Sequence, residues 1–171
     1  MPAVMILGMN PLEHSVFRRV LCLTVLAIGG SCFRTPNSTN RAPADPWTAT
    51  ETVQPTQLAA ELQQEKDPHV LVIYVGVRTL YNGAHIPGSV FHGPGSTEEG
   101  ISELKQYAAT LPKNSDVVLY CGCCPLEKCP NLRPAFSALK DTGFARLRVL
   151  ILPTSFNTDW VEKGYPAKKS S

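Results

Sequence analysis

The chain has 171 residues, 43% of them hydrophobic and 18% charged, and a net charge of +2; it has room for one domain with a real core and not for two. So small a charge, with no basic run interleaved with aromatics, excludes a nucleic-acid partner, and Lys168 and Lys169 read as part of a solvated tail. Six cysteines are too few for a disulfide scaffold in a chain of this size.

The amino end has the layout of an export signal. Arg18 and Arg19 precede a nine-residue apolar run at 20–28, and Gly29, Gly30, Ser31 and Cys32 follow: a basic segment, a short apolar segment and small residues before a cleavage point. The apolar run is too short to span a bilayer comfortably. A start at Met9 gives a signal of ordinary length, and residues 1–31 are read as the signal peptide. Cys32 resembles the lipobox cysteine of bacterial lipoproteins, although Gly29 stands where a large aliphatic is usual. A lipid on Cys32 with membrane attachment, soluble export and an uncleaved anchor all stay open. The expected location is exported, periplasmic or as a membrane-anchored lipoprotein. Residues 32–49, rich in Pro, Asn, Thr, Ser and Ala without periodicity, read as a disordered tether. The domain is placed at 50–167 and the tail at 168–171.

The body alternates helix and strand signals. Leu58, Ala59 and Leu62 at helical spacing predict a helix over 53–64, with Pro55 in its first turn and Thr52 or Thr56 as cap. Residues 70–75, Val-Leu-Val-Ile-Tyr-Val, form the strongest strand signal, and 88–91 a shorter one closed by the turn at Gly93, Pro94 and Gly95. Ile101, Leu104 and Ala108 predict a helix over 101–110. Residues 117–120 then read as a strand buried on both faces, after the turn residues Asn114 and Asp116. A helix from about 132 to 142 follows, capped by Gly143, then a strand at 147–152 and a helix at 157–163 stopped by Gly164 and Pro166. Such alternation gives an α/β fold, a mainly parallel central sheet with helices on both faces.

The stretch that matters chemically is 116–131. It delivers Cys121 at the end of a strand and then Cys123, Cys124 and Cys129 into a loop with Gly122, Pro125 and Pro130. In open α/β sheets ligands bind beyond the strand ends. A thiol there, facing free N–H groups and the start of the next helix, is expected to favour its thiolate.

Three stretches together resemble one family, the rhodanese-like sulfurtransferases. Residues 81–88, Tyr-Asn-Gly-Ala-His-Ile-Pro-Gly, look like the family's first signature; 118–121, Val-Leu-Tyr-Cys, look like the strand ending in its catalytic cysteine; Gly143, Phe144, Trp160 and 164–166, Gly-Tyr-Pro, match its closing segment in order. The resemblance covers about residues 50–167 and implies a rhodanese-like three-layer sandwich. It also implies an enzyme moving a sulfane sulfur from a small-molecule donor such as thiosulfate, through a persulfide on Cys121, to a thiol acceptor. No cofactor and no metal is expected. Gly122, Cys123, Cys124, Lys128 and Arg133 are the expected substrate-binding residues, through loop N–H groups and two cations. Cys129 is the expected resolving thiol, because it closes the least strained ring with Cys121. His85 and Gly88 belong to the structural motif, with His85 anchoring its loop rather than acting as a base, and Trp160 is core.

The departures from the family are equally legible. The usual buried Asp and Arg fall on Tyr74 and Gly76, with Arg78 two positions beyond as a partial substitute; Leu126 stands where the active loop normally has Arg; the loop is about five residues longer than the common spacing; and 153–155, Pro-Thr-Ser, replace Glu-Gly-Gly. Two alternatives share the stretch. One is thiol–disulfide or sulfur-relay chemistry on the same fold, suited to an oxidising compartment. The other is a metal or iron–sulfur module using four soft ligands, against which stands the adjacency of Cys123 and Cys124. A related phosphatase is excluded, since Glu127 occupies the position where that chemistry needs Arg.

Overall fold

The computed structural model describes residues 44–64 and 69–170. The signal segment, Cys32 and most of the tether lie outside them. Among the described residues no helix is long and apolar enough to cross a membrane.

In chain order the elements are β1 Thr52–Val53, α1 Pro55–Gln64, β2 Val70–Tyr74, α2 Arg78–Gly83, β3 Val90–Phe91, α3 Glu98–Ala109, β4 Asp116–Tyr120, α4 Leu132–Lys140 and β5 Arg146–Leu150. The five strands form one sheet in the order β1-β5-β4-β2-β3, and every neighbouring pair is parallel. Period-two alternation divides the core. Ile73, Val75, Val117, Leu119, Leu147 and Val149 face Leu104 and Ala108 of α3 and Leu132, Ala135, Phe136 and Leu139 of α4. Val72, Tyr74, Val118, Tyr120 and Leu150 face Leu58 and Ala59 of α1 together with Phe156 and Trp160. Both faces are covered, which is why residues 117–120 are apolar or aromatic without a polar side.

β4 lies at the centre and is held in register by Arg148 of β5. The Arg148 guanidinium bonds Asp116 Oδ1 at 3.1 Å and both oxygens of Glu61 at 3.1 and 3.0 Å. This fixes the end of the sheet opposite the cysteine loop.

Several boundaries differ from the sequence reading. Val53 pairs with Leu150 as a strand rather than opening α1; its partners are nearly a hundred positions away and leave no local periodicity. Thr52 donates its hydroxyl to Ala49 O at 2.7 Å and does not cap α1. The helix α2 was not expected. The last helix is a π-helical turn, Asn157–Val161, with Trp160 buried and its Nε1 donating to Pro166 O at 2.8 Å. The end of the expected tether is docked: Trp47 packs edge-on against Phe136 at 5.5 Å, and Asp45 pairs with Arg133 at 2.7 Å. The expected tail is also tied down, with Lys168 and His85 exchanging two backbone bonds of 2.8 Å.

Candidate active site

The site begins where β4 ends. Val75 N–H bonds Tyr120 O at 2.9 Å, and the next residue, Cys121, is buried at the carboxyl edge of the sheet. Gly122 then turns the chain with a φ of +71°, a conformation that costs a residue with a Cβ about 1–2 kcal/mol. There is also no space for one, since a Cβ on Gly122 would lie 2.6 Å from Phe156 Cβ and 2.7 Å from Phe156 N. Gly122 O accepts the Phe156 N–H at 2.9 Å. The turn returns Cys123 to Cys121, and their sulfurs stand 3.2 Å apart.

The loop beyond is pinned from several sides. Leu126 N–H reaches Pro153 O at 3.3 Å, and a short 3-10 turn spans Leu126–Lys128. Arg133 donates to the carbonyls of Leu126, Glu127 and Cys129 at 3.3, 3.4 and 3.3 Å. Asn131, buried just before α4, accepts Ser96 N–H on Oδ1 at 3.1 Å and directs Nδ2 to Cys121 Sγ at 3.5 Å and Cys123 Sγ at 3.6 Å.

Four thiols share this loop, all free. The Cys121, Cys123 and Cys129 sulfurs lie within 4.8 Å of one another, and Cys124 Sγ is 3.4 Å from Cys123 Sγ. The sequence expects the thiolate at Cys121, whereas the hydrogen bonds within the cluster favour it at the neighbouring sulfurs. The hydrogen bond Cys121 donates to Cys123, a further one to Cys129, and burial push the Cys121 thiol up. The same bond from Cys121 pulls Cys123 down to about 5, helped by Cys124 and Asn131 against the cost of burial. Cys129 is lowered to about 7, first by Cys121, and by the backbone N–H groups of Asn131 and Leu132; the helix-start donors foreseen for Cys121 serve Cys129. Cys124 is raised to about 12 by burial and by Cys123. Negative charge is thus favoured at Cys123 and Cys129, with Cys121 as hydrogen-bond donor toward them.

Cys121, Gly122 and Cys123 line an open cleft of about 410 Å³, walled by Tyr74, Leu80, Ala84, Phe156 and Val161 and edged by Thr79, Ser155 and Asn157. Tyr74 Oη is buried without a hydrogen-bond partner. A Cβ on Gly76 would lie 2.5 Å from that oxygen and 2.8 Å from Cys121 Sγ, which places the hydroxyl beside the sulfur. Burial, followed by the neighbouring thiol cluster, pushes the Tyr74 phenol up, so it stays a donor.

The structure brings together Cys121, Gly122 and Cys123, with Cys124 and Cys129 in sulfur contact. It does not bring in the expected cations. Lys128 is exposed and borders a different hollow with Cys129 and Pro130. Arg133 is occupied by the loop carbonyls and Asp45. Arg78 lies over the Phe91 ring at 3.8 Å, so it does not replace the family's buried Arg. His85 is a loop anchor, with Nδ1 2.9 Å from Tyr81 O and its ring stacked on Tyr81 at 4.1 Å. Gly88 takes a φ of +79° in the same loop. Sequence reasoning missed Asn131 and Tyr74. The signal for Tyr74 was its position, a phenol where the family places a carboxylate.

Solved structures share this arrangement of elements. The rhodanese-like domain of the Alr3790 protein from Anabaena sp. is 22% identical over 70% of this chain and 79% of that one, with a TM-score of 0.51. The BH2092 protein from Bacillus halodurans gives 17% identity, 71% and 78% coverage and a TM-score of 0.56. This chain has the rhodanese-like fold. The thiosulfate sulfurtransferase from Pseudomonas aeruginosa also matches this rhodanese-like domain, at 24% identity and a TM-score of 0.52; the match covers 71% of this chain and 20% of that larger protein. No protein-family model matches the sequence, and no curated protein does.

Proposed function

We propose that the chain is a sulfurtransferase in which Cys121 carries a sulfane sulfur as a persulfide. One observation carries the reading: Cys121 Sγ ends the central strand at the wall of an open cleft, hydrogen-bonded to a second sulfur 3.2 Å away. The rhodanese-like fold of the Pseudomonas aeruginosa thiosulfate sulfurtransferase supports it. In the first half-reaction the Cys121 sulfur attacks the outer sulfur of thiosulfate. A new S–S bond forms, the old one breaks, sulfite leaves with the bonding pair, and the Cys121 proton passes along its hydrogen bond to the Cys123 thiolate. In the second, a thiolate acceptor takes the outer sulfur and Cys121 leaves as thiolate, recovering its proton from Cys123. Tyr74 Oη stands ready to donate to the terminal sulfur.

The test is intact mass after exposure to a sulfane donor. Wild type should gain one sulfur, lost again on adding cyanide. Cys121→Ser should not load, whereas Cys124→Ser should. Loading that survives Cys121→Ser and disappears in Cys124→Ser would overturn the assignment.

A further inference from the structure

The same loop has a property that sulfur transfer does not require. Persulfide chemistry needs Cys121 and one neighbour, yet three sulfurs form a compact triangle, buried at Cys121 and Cys129 and half-buried at Cys123. We propose that Cys121, Cys123 and Cys129 form a three-coordinate thiolate site for monovalent copper, Cu(I), independent of the persulfide reading.

The donor set decides the class of ion. All three ligand atoms are sulfur, and thiolates select soft ions over magnesium, calcium or manganese. Coordination number then separates copper from zinc. Structural zinc takes four ligands, and the natural fourth candidate, Cys124, stands outside the compact triangle, with its closest sulfur contact to Cys123 at 3.4 Å. Asn131 turns its Nδ2 donor, not its oxygen, toward the sulfurs, so it cannot complete a tetrahedron. Three sulfurs about 2.3 Å from one ion in a trigonal plane lie about 4 Å apart, within reach of a cluster spanning 3.2 to 4.8 Å.

The surroundings are those of a metal–thiolate site. Asn131 Nδ2 bonds two of the sulfurs. Such outer N–H···S bonds orient the ligands and offset the charge of a trithiolate complex. Asn131 is itself fixed by Ser96 N–H. The adjacency of Cys123 and Cys124 argued from sequence against metal, but the geometry removes that objection because only one of the adjacent pair is a ligand. The cleft supplies the entry path through Cys121 and Cys123. Binding replaces thiol protons by the ion without any change of oxidation state.

The experiment is an anaerobic titration of the full reduced chain with Cu(I) against a chromophoric Cu(I) chelator, followed by differential alkylation read peptide by peptide. One ion should bind in the loop. Cys123→Ser and Cys129→Ser should each weaken it at least a hundredfold, while Cys124→Ser changes it less than threefold. In the wild-type chain one equivalent of Cu(I) should protect Cys121, Cys123 and Cys129 from alkylation and leave Cys124 reactive, a readout that needs no variant to fold. Loss of binding in Cys124→Ser equal to that in Cys129→Ser, protection of Cys124, or binding of Zn(II) with Cu(I) excluded would each overturn the proposal. Persulfide loading is measured separately on metal-free chain by mass, so failure of either assignment leaves the other standing.

Discussion

Replacing Gly122 by Ala tests how the loop is built, because two separable costs act at that residue. The first is conformational: a φ of +71° costs an L side chain about 1–2 kcal/mol. The second is steric. The new Cβ would meet Phe156 Cβ at 2.6 Å and Phe156 N at 2.7 Å, contacts that yield only if the turn at 153–157 moves, an overpacking cost of about 1–3 kcal/mol. Gly143→Ala supplies the control, since Gly143 has a φ of +87° with nothing within 4 Å of the built Cβ; it bears the conformational cost alone. Gly122→Ala is therefore expected to lose about 2–5 kcal/mol and Gly143→Ala about 1–2 kcal/mol. Urea unfolding of the reduced chain, followed by far-UV circular dichroism and by tryptophan fluorescence, measures both. At about 2–4 °C per kcal/mol the difference is also visible in melting temperature. Gly122→Ala should in addition slow persulfide loading, because the turn sets the 3.2 Å sulfur contact, and Gly143→Ala should not. Equal destabilisation by the two substitutions would refute the steric argument.

Tyr74→Phe removes a buried hydroxyl that has no partner, so stability should hold or rise, while transfer slows about tenfold or more if the hydroxyl donates to a charged sulfur; a clear loss of stability with unchanged transfer would contradict this placement. Oxidation without reductant should form a Cys121–Cys123 disulfide, since sulfurs 3.2 Å apart need to close only to about 2.05 Å, and the oxidised chain should be inactive until reduced. Non-reducing peptide maps check this, and a Cys121–Cys129 bridge, the pairing expected from ring size alone, would count against it. The apolar cleft predicts a donor preference: benzenethiosulfonate should load Cys121 about 10–30-fold faster than thiosulfate, from roughly 2 kcal/mol of ring burial, measured by single-turnover mass spectrometry. Equal rates would refute it.

Much of the fold was legible because its signals are local. Residues 70–75 and 117–120 show the unbroken apolar character of strands covered on both faces, and α4 shows its stripe at Leu132, Ala135, Phe136 and Leu139. The strand at Thr52–Val53 was not legible, because it exists only by pairing with Val149 and Leu150. Trp47 looked like tether for the same reason: its packing partner Phe136 is remote in sequence. At the site, spacing could place four cysteines in one loop and could not choose among them. Ring-closure reasoning favoured Cys129 as the partner of Cys121, and the structure holds both Cys129 and Cys123 within 4.8 Å of it, the latter folded back by the positive φ at Gly122. Lys128 and Arg133 are the cations the sequence offers, and it does not reveal that three loop carbonyls and Asp45 engage Arg133.

The exchange of cations for sulfurs has one electrostatic consequence that runs through the whole site. Among the described residues no lysine or arginine lines the cleft, so the negative charge of the thiol cluster is stabilised only by S–H and N–H donors. A second negative charge brought to about 5 Å from it meets a repulsion of about 3 kcal/mol per unit charge at an effective dielectric of 20. A dianion such as thiosulfate is therefore opposed at the step where it must approach most closely, whereas a weakly charged apolar donor is not. The same field attracts a cation. A cation bound by the sulfurs brings positive charge to a loop where Leu126 offers none and Arg133 is held by carbonyls, and the Asn131 Nδ2 donor faces the negative charge that remains.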